Sequence, residues 1–172
     1  VCILERGKEW QPGEFPETLE GVISATSTDE NPLGPFELLT HPDISVIKGS
    51  GLGVPSLISA KVEIVPDREV FEQFHWPSAL TFDELQPFYQ RAAGVLAPSQ
   101  HPRALELAKV KALDRRAREM GTTAQALNIA VNFTNFTPDG TNPHGVAQKP
   151  CNDCGNCVTG CNVTAKNTLY MN

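Results

Sequence analysis

Four of the five cysteines in this 172-residue chain lie in one short run, Cys151-Asn152-Asp153-Cys154-Gly155-Asn156-Cys157-Val158-Thr159-Gly160-Cys161. The spacing C-x2-C-x2-C-x3-C is one with which thiolates wrap an iron–sulfur cluster. Gly155 and Gly160 give the backbone the freedom to turn around such a body. Zinc more often takes cysteines as two separated pairs, and a disulfide across C-x2-C closes too small a loop to stabilise much. Asn162 stands where cluster-binding runs of this spacing carry proline. The expectation is that Cys151, Cys154, Cys157 and Cys161 converge on one cluster, 3Fe-4S or 4Fe-4S. Zinc or disulfides are the alternatives. Cys2 sits in an apolar stretch and is expected to stay apart as a small buried hydrophobe.

Two further stretches could bind a ligand. Val1-Cys2-Ile3-Leu4-Glu5 is an apolar run ending in an acid. In a dinucleotide-binding βαβ unit such an acid accepts hydrogen bonds from ribose hydroxyls. Gly49-Ser50-Gly51-Leu52-Gly53 places glycines at alternate positions, where backbone can approach a pyrophosphate or a flat ring without Cβ clashes. A surface carboxylate and a plain turn are the bland alternatives. His41, His75, His101 and His144 carry no motif and read as ordinary loop or surface histidines.

The elements that would position these groups follow from pattern. Val1–Leu4 reads as a central parallel strand. Residues 8–42 are rich in Pro and Gly and read as surface loop and short turns. Phe36–Leu39 and Ile44–Ile47 read as short strands, the second running into the glycine loop. Leu57–Ala60 could open a helix, and Val62–Val65 alternates as a strand does. Phe71–Phe74 fits one helical turn. Thr81 should cap a helix running to about Val95, with Glu84 completing a capping box and Leu85, Phe88, Tyr89 and Ala92 on one face. A second helix is expected over Arg103–Met120, with Leu105, Ala108, Ala112 and Leu113 inward and Gly121 ending it. Ala130–Phe133 reads as a strand, 135–150 as a polar loop, and Ala165–Met171 as the start of a helix.

Composition narrows the class. Hydrophobic residues make up 40% and net charge is −6, which permits a core and argues against a nucleic-acid footprint. Arg115, Arg116 and Arg118 are flanked by Asp114 and Glu119 and read as a solvated helix face. No apolar run is long enough to cross a bilayer. The chain starts in a strand pattern without Met and ends abruptly, so it is expected to be an internal piece of a longer protein. Cysteine usage fits a reducing compartment. This favours the cytoplasm, with the periplasm as the alternative for the full-length protein. Sequons at Asn132, Asn135 and Asn162 are read as incidental.

Taken in order, Glu5 at a strand end, the glycine loop, Trp76-Pro77, the Phe88-Tyr89 helix, the cysteine run and Ala165-Lys166-Asn167-Thr168-Leu169 resemble the glucose–methanol–choline family of FAD-dependent oxidoreductases. The likeness is nearest to its bacterial cholesterol oxidase-like and flavin dehydrogenase branch, and it covers most of the chain. Val-Cys-Ile-Leu-Glu-Arg-Gly is similar to the family's second Rossmann strand. Gly49 to Ser59 is similar to its flavin loop, Gly-x-x-x-Gly-Gly-Thr/Ser-Ser-x-x-Asn, with Val54, Pro55 and Ser59 departing from it.

The resemblance implies an α/β fold. Residues 1–65 would be part of a Rossmann-like FAD-binding domain, and 66–172 a helical, loop-rich insertion carrying the cysteine loop at 151–161. It implies FAD bound by Glu5, Gly49, Gly51, Gly53, Ser56 and Ser59. It also implies oxidation of the CH–OH group of a small alcohol, sugar or sterol by hydride transfer to flavin, with electrons relayed through the cysteine cluster to an external acceptor. The family's catalytic His pair lies outside these residues, so the fragment should be inactive alone. A ferredoxin-like electron carrier and a zinc-binding structural module are the rival classes.

Overall fold

The computed structural model describes residues 2–134, 139–142 and 144–168. The chain divides into two units: Val1–Lys61 with Asn132–Asn172, and Val62–Val131. The fold is mixed α/β, with short helices and two small sheets.

In the first unit, α1 (Leu19–Ser24) is capped by Thr18, whose side chain accepts from the Gly21 N–H. Strands β1 (Phe36–Thr40) and β2 (Ser45–Gly49) form an antiparallel hairpin in the register Phe36↔Gly49 to Thr40↔Ser45. The two strands read from sequence are both present, and the register delivers the chain directly into the glycine loop. That loop ends at Gly53, which takes φ +70° and precedes the four-residue helix α2 (Val54–Leu57).

The helix therefore starts earlier than the expected Leu57–Ala60. Pro55 explains the shift: proline suits a helix's first turn, where an N–H has no intrahelical partner to lose. The core gathers beneath this turn. Phe15, Phe36, Val54, Leu57 and Ile58 are buried together, with Trp10, Val22 and Ala25 packed against them.

The second unit holds α3 (Arg68–Phe71), α4 (Phe82–Leu96), α5 (Ala108–Glu119) and the two-residue strands β3 (Ser99–Gln100) and β4 (Asn128–Ile129), paired antiparallel. The capping box is present: the Glu84 N–H donates to Thr81 Oγ1, and the Thr81 N–H donates to Glu84 Oε2. Gly121 follows α5 with φ +77°, as a helix stop requires. Phe71 stacks edge-on against Trp76 and Phe82, at centroid distances of 4.8 and 5.4 Å. The arginines of α5 are solvated, Arg116 pairing with Glu119 and Arg118 with Asp114.

Several expectations fail for a common reason, which is that short apolar patterns need partners. Ile3 and Leu4 are 87% and 92% exposed and Cys2 is exposed, so the strand and the buried thiol expected there do not form. A strand buried on both faces needs neighbours on both edges, and none pairs with these residues among those described. Val62–Val65 makes only one bridge, Val62↔Ile129. The short helix lies at Arg68–Phe71 rather than Phe71–Phe74.

On α4, Phe88 is exposed, while Phe82, Leu85 and Tyr89 are half-buried. The 103–120 helix is broken into a 3-10 turn at Ala104–Glu106 and α5. Leu105 and Leu113 are exposed; Val110, Asp114 and Ala117 make the sheltered face. Ala130 and Val131 are buried but lie beyond β4, and Ala165–Thr168 is not helical. The remainder of that expected helix, residues 169–171, and residues 135–138 and 143 of the polar loop lie outside the described residues, as does the Asn135 sequon. Among the described residues the only parallel pairing is a single bridge, Thr26↔Phe36. No helix of those residues is long and apolar enough to cross a membrane.

Candidate functional site

The sequence motifs of the first unit meet around the glycine loop. Glu5 Oε1 accepts the Gly7 N–H at 2.7 Å and the Gly51 N–H at 3.0 Å. The Leu52 N–H donates to the Lys8 carbonyl at 3.1 Å, so the segment after Glu5 lies along the loop. Arg6 and Lys48 both reach Glu37, at 2.6 and 2.9 Å, which ties that segment to the hairpin. Their charges, led by the Lys48 hydrogen bond, hold the Glu37 carboxyl below its ordinary range.

Glycine is required where the segments touch. A Cβ on Gly7 would stand 2.6 Å from the Gly51 Cα, and one on Gly51, at φ +140°, 2.7 Å from the Lys8 carbonyl. The Gly49 Cβ position faces the Ile58 methyl and Pro55. Ser56 Oγ donates to the Gly53 carbonyl at 2.8 Å and so secures the first turn of α2. Ser59 Oγ accepts from the Lys61 N–H. Glu5, Gly49, Gly51, Gly53, Ser56 and Ser59 thus all lie in one unit, and Glu5 is bonded to the buried Gly51.

The two departures in this loop have local explanations. Val54 is fully buried in the core, with its Cγ2 packed against Gly51. Pro55 sits in the helix's first turn. Beside them opens an apolar groove of about 470 Å³, lined by Phe36, Ile47, Gly49, Pro55, Ile58 and Val158.

The cysteine run belongs to the same unit. Cys151 is half-buried, with its sulfur accepting the Asp153 N–H at 3.4 Å. Asp153, at φ +61°, turns the chain there, and Asn152 Oδ1 accepts the Cys154 N–H. Cys154 is exposed, and Cys161 lines a small void with Trp10, Phe15 and Leu57. Burial pushes the Cys151 and Cys157 thiols up.

All four thiols are free, and among the described residues no three His, Cys, Asp or Glu side chains gather in a way that could hold a metal ion. The expected convergence of Cys151, Cys154, Cys157 and Cys161 is therefore not seen. His41, His75 and His144 are exposed, and His101 Nδ1 accepts the Arg103 N–H; none stands with the loop residues.

Two residues just past the run tie it down. Asn162 Oδ1 accepts the Gly13 and Phe15 N–H groups, while its amide donates to the Phe15 carbonyl and Glu17. This spends the side chain on packing, which fits the incidental reading of that sequon; Asn132 is likewise buried. Lys166 is 2% exposed, and its ammonium donates to the carbonyls of Leu57, Ser59 and Cys157 at 2.5, 2.7 and 2.5 Å. Burial pulls its pKa down to about 8. In sequence Lys166 stands only within a motif with no role of its own, because two of its three partners are 107 and 109 residues away.

Over its whole length the chain is similar to cholesterol oxidases. It is 30% identical over 188 residues to those of Mycobacterium tuberculosis strains CDC 1551 and H37Rv, and 25% identical over 192 residues to that of Acinetobacter baumannii. All of this chain is covered, and 32–33% of each relative. The chain thus spans about a third of the length of the curated relatives it matches. No family model matches it, and no solved structure does.

Proposed function

We propose that this chain is part of an FAD-dependent oxidoreductase of the glucose–methanol–choline type, acting on the CH–OH group of an alcohol, sugar or sterol. The observation that carries the reading is the meeting of Glu5 with the glycine loop at Gly51. Both are expected at a flavin nucleotide on separate grounds, and a hydrogen bond joins them. The likeness of the whole chain to about a third of proteins named cholesterol oxidases supports it and favours a sterol.

The residues fit the group. Glu5 is exposed with one carboxylate oxygen tied in place, and Val54 is fully buried. Glu5 would accept from ribose hydroxyls, and Gly49 to Ser59 would lie along the flavin. Bound FAD would accept a hydride from the substrate carbon. Within this chain the residues serve binding alone: Glu5 orients, and Lys8, Gly51 and Leu52 hold the loop's shape. The relay to an external acceptor rested on a metal cluster. Among the described residues no three His, Cys, Asp or Glu side chains gather to hold one.

Equilibrium dialysis of FAD against the protein carrying this chain, with and without Glu5→Ala, tests the reading. Retention that weakens on substitution is expected. Equal retention, or none in either protein, would sink it.

A further inference from the structure

We infer that Lys166 is a positioning residue: its buried ammonium holds the turn after the glycine loop against the cysteine run, so that a change at Cys157 reaches Leu57 and Ser59. The consequence for flavin rests on the reading above; the mechanical link does not.

The geometry is specific to an ammonium. It carries three protons and no acceptor, and here all three go to backbone carbonyls. Two carbonyls lie in the turn that closes α2 and one in the middle of the cysteine run. Burying a charge is expensive unless its hydrogen bonds are complete, so the three acceptors must stay in place together. Moving the Cys157 carbonyl opens one corner of the cage and frees the other two.

Neighbouring contacts hold the C-terminal end of the run. Gly160, at φ +127°, packs so closely that a Cβ would overlap the Phe15 ring. The Asn162 side chain clamps residues 13–17 on the far side. Motion at Cys157 is therefore poorly absorbed elsewhere, and Lys166 is the direct route to the loop.

Hydrogen exchange read by mass spectrometry tests this in the 172-residue chain. Lys166→Met should speed exchange about tenfold at both 57–61 and 157–161, the equivalent of losing one buried anchor of about 1.4 kcal/mol. The β1–β2 hairpin should keep its protection. Acceleration at only one of the two segments, or equally in the hairpin, overturns the inference.

A second measurement needs no substitution at Lys166. With the other four cysteines changed to serine, alkylating Cys157 should speed exchange at 57–61, and an unchanged rate there overturns the link. In protein that retains FAD, the same alkylation should shift the flavin absorbance, and Lys166→Met should abolish that response. A response that persists in Lys166→Met overturns the positioning role. If no FAD is retained in any form, the flavin reading fails while the exchange data still decide the coupling.

Discussion

Glu5 Oε1 stands 3.0 Å from the Gly51 N–H and also accepts from Gly7, so one carboxylate oxygen closes its own turn and docks the glycine loop. Charge-assisted bonds of this kind contribute more than neutral ones, though exposure reduces their worth. Glu5→Ala should destabilise the chain by about 1–2 kcal/mol. Glu5→Gln keeps an acceptor and should recover part of that. Chemical denaturation of the two variants checks the order.

Gly160 sits against Phe15 in a conformation that disfavours any Cβ. Gly160→Ala combines backbone strain with an overpacked core and should cost about 2–4 kcal/mol. Gly155, at φ +81°, has open space around its Cβ position. Gly155→Ala should cost only the strain, about 1 kcal/mol. Thermal melts of both variants separate packing from backbone. Equal losses would mean that Phe15 yields.

What the sequence disclosed was local. The Thr81–Glu84 box and the Gly121 stop are read from neighbours three or fewer positions away, and both form. The strands at 36–39 and 44–47 were visible, but not that they pair with each other. On α4 the expected face is half right, with Leu85 and Tyr89 half-buried and Phe88 exposed, and around α5 Leu105 and Leu113 are exposed, because apolar side chains point inward only where a partner covers them. The meeting of Glu5 with Gly51, 46 residues apart, and the cage around Lys166 depend on tertiary packing that no window of sequence contains.

Thiol reactivity should follow burial. The thiolate is the reactive species, and burial pushes the Cys151 and Cys157 thiols up. Cys2 and Cys154 are exposed. At neutral pH a small alkylating reagent should therefore modify Cys2 and Cys154 first and Cys151 and Cys157 last, as read by peptide mass mapping. Fast labelling of Cys157 would show that the run opens readily.

The ammonium of Lys166 gives stability a dependence on pH with a definite sign. Its folded pKa is about 8, below the ordinary 10.5, so between those values the unfolded chain binds more protons than the folded one. Below pH 8 the cost of the buried charge is fully present, about 3 kcal/mol by the size of the shift. It is relieved as pH rises from about 8 toward 10.5. Cys157, Cys161, Cys154 and Lys61 are the charged and titratable groups that act on it. Comparison with Lys166→Met removes most of their contribution. The stability of the unsubstituted chain relative to Lys166→Met should climb between pH 8 and 10, by at most about 1.4 kcal/mol per pH unit. A flat difference across that window would mean that the three carbonyls hold the proton as firmly as water does.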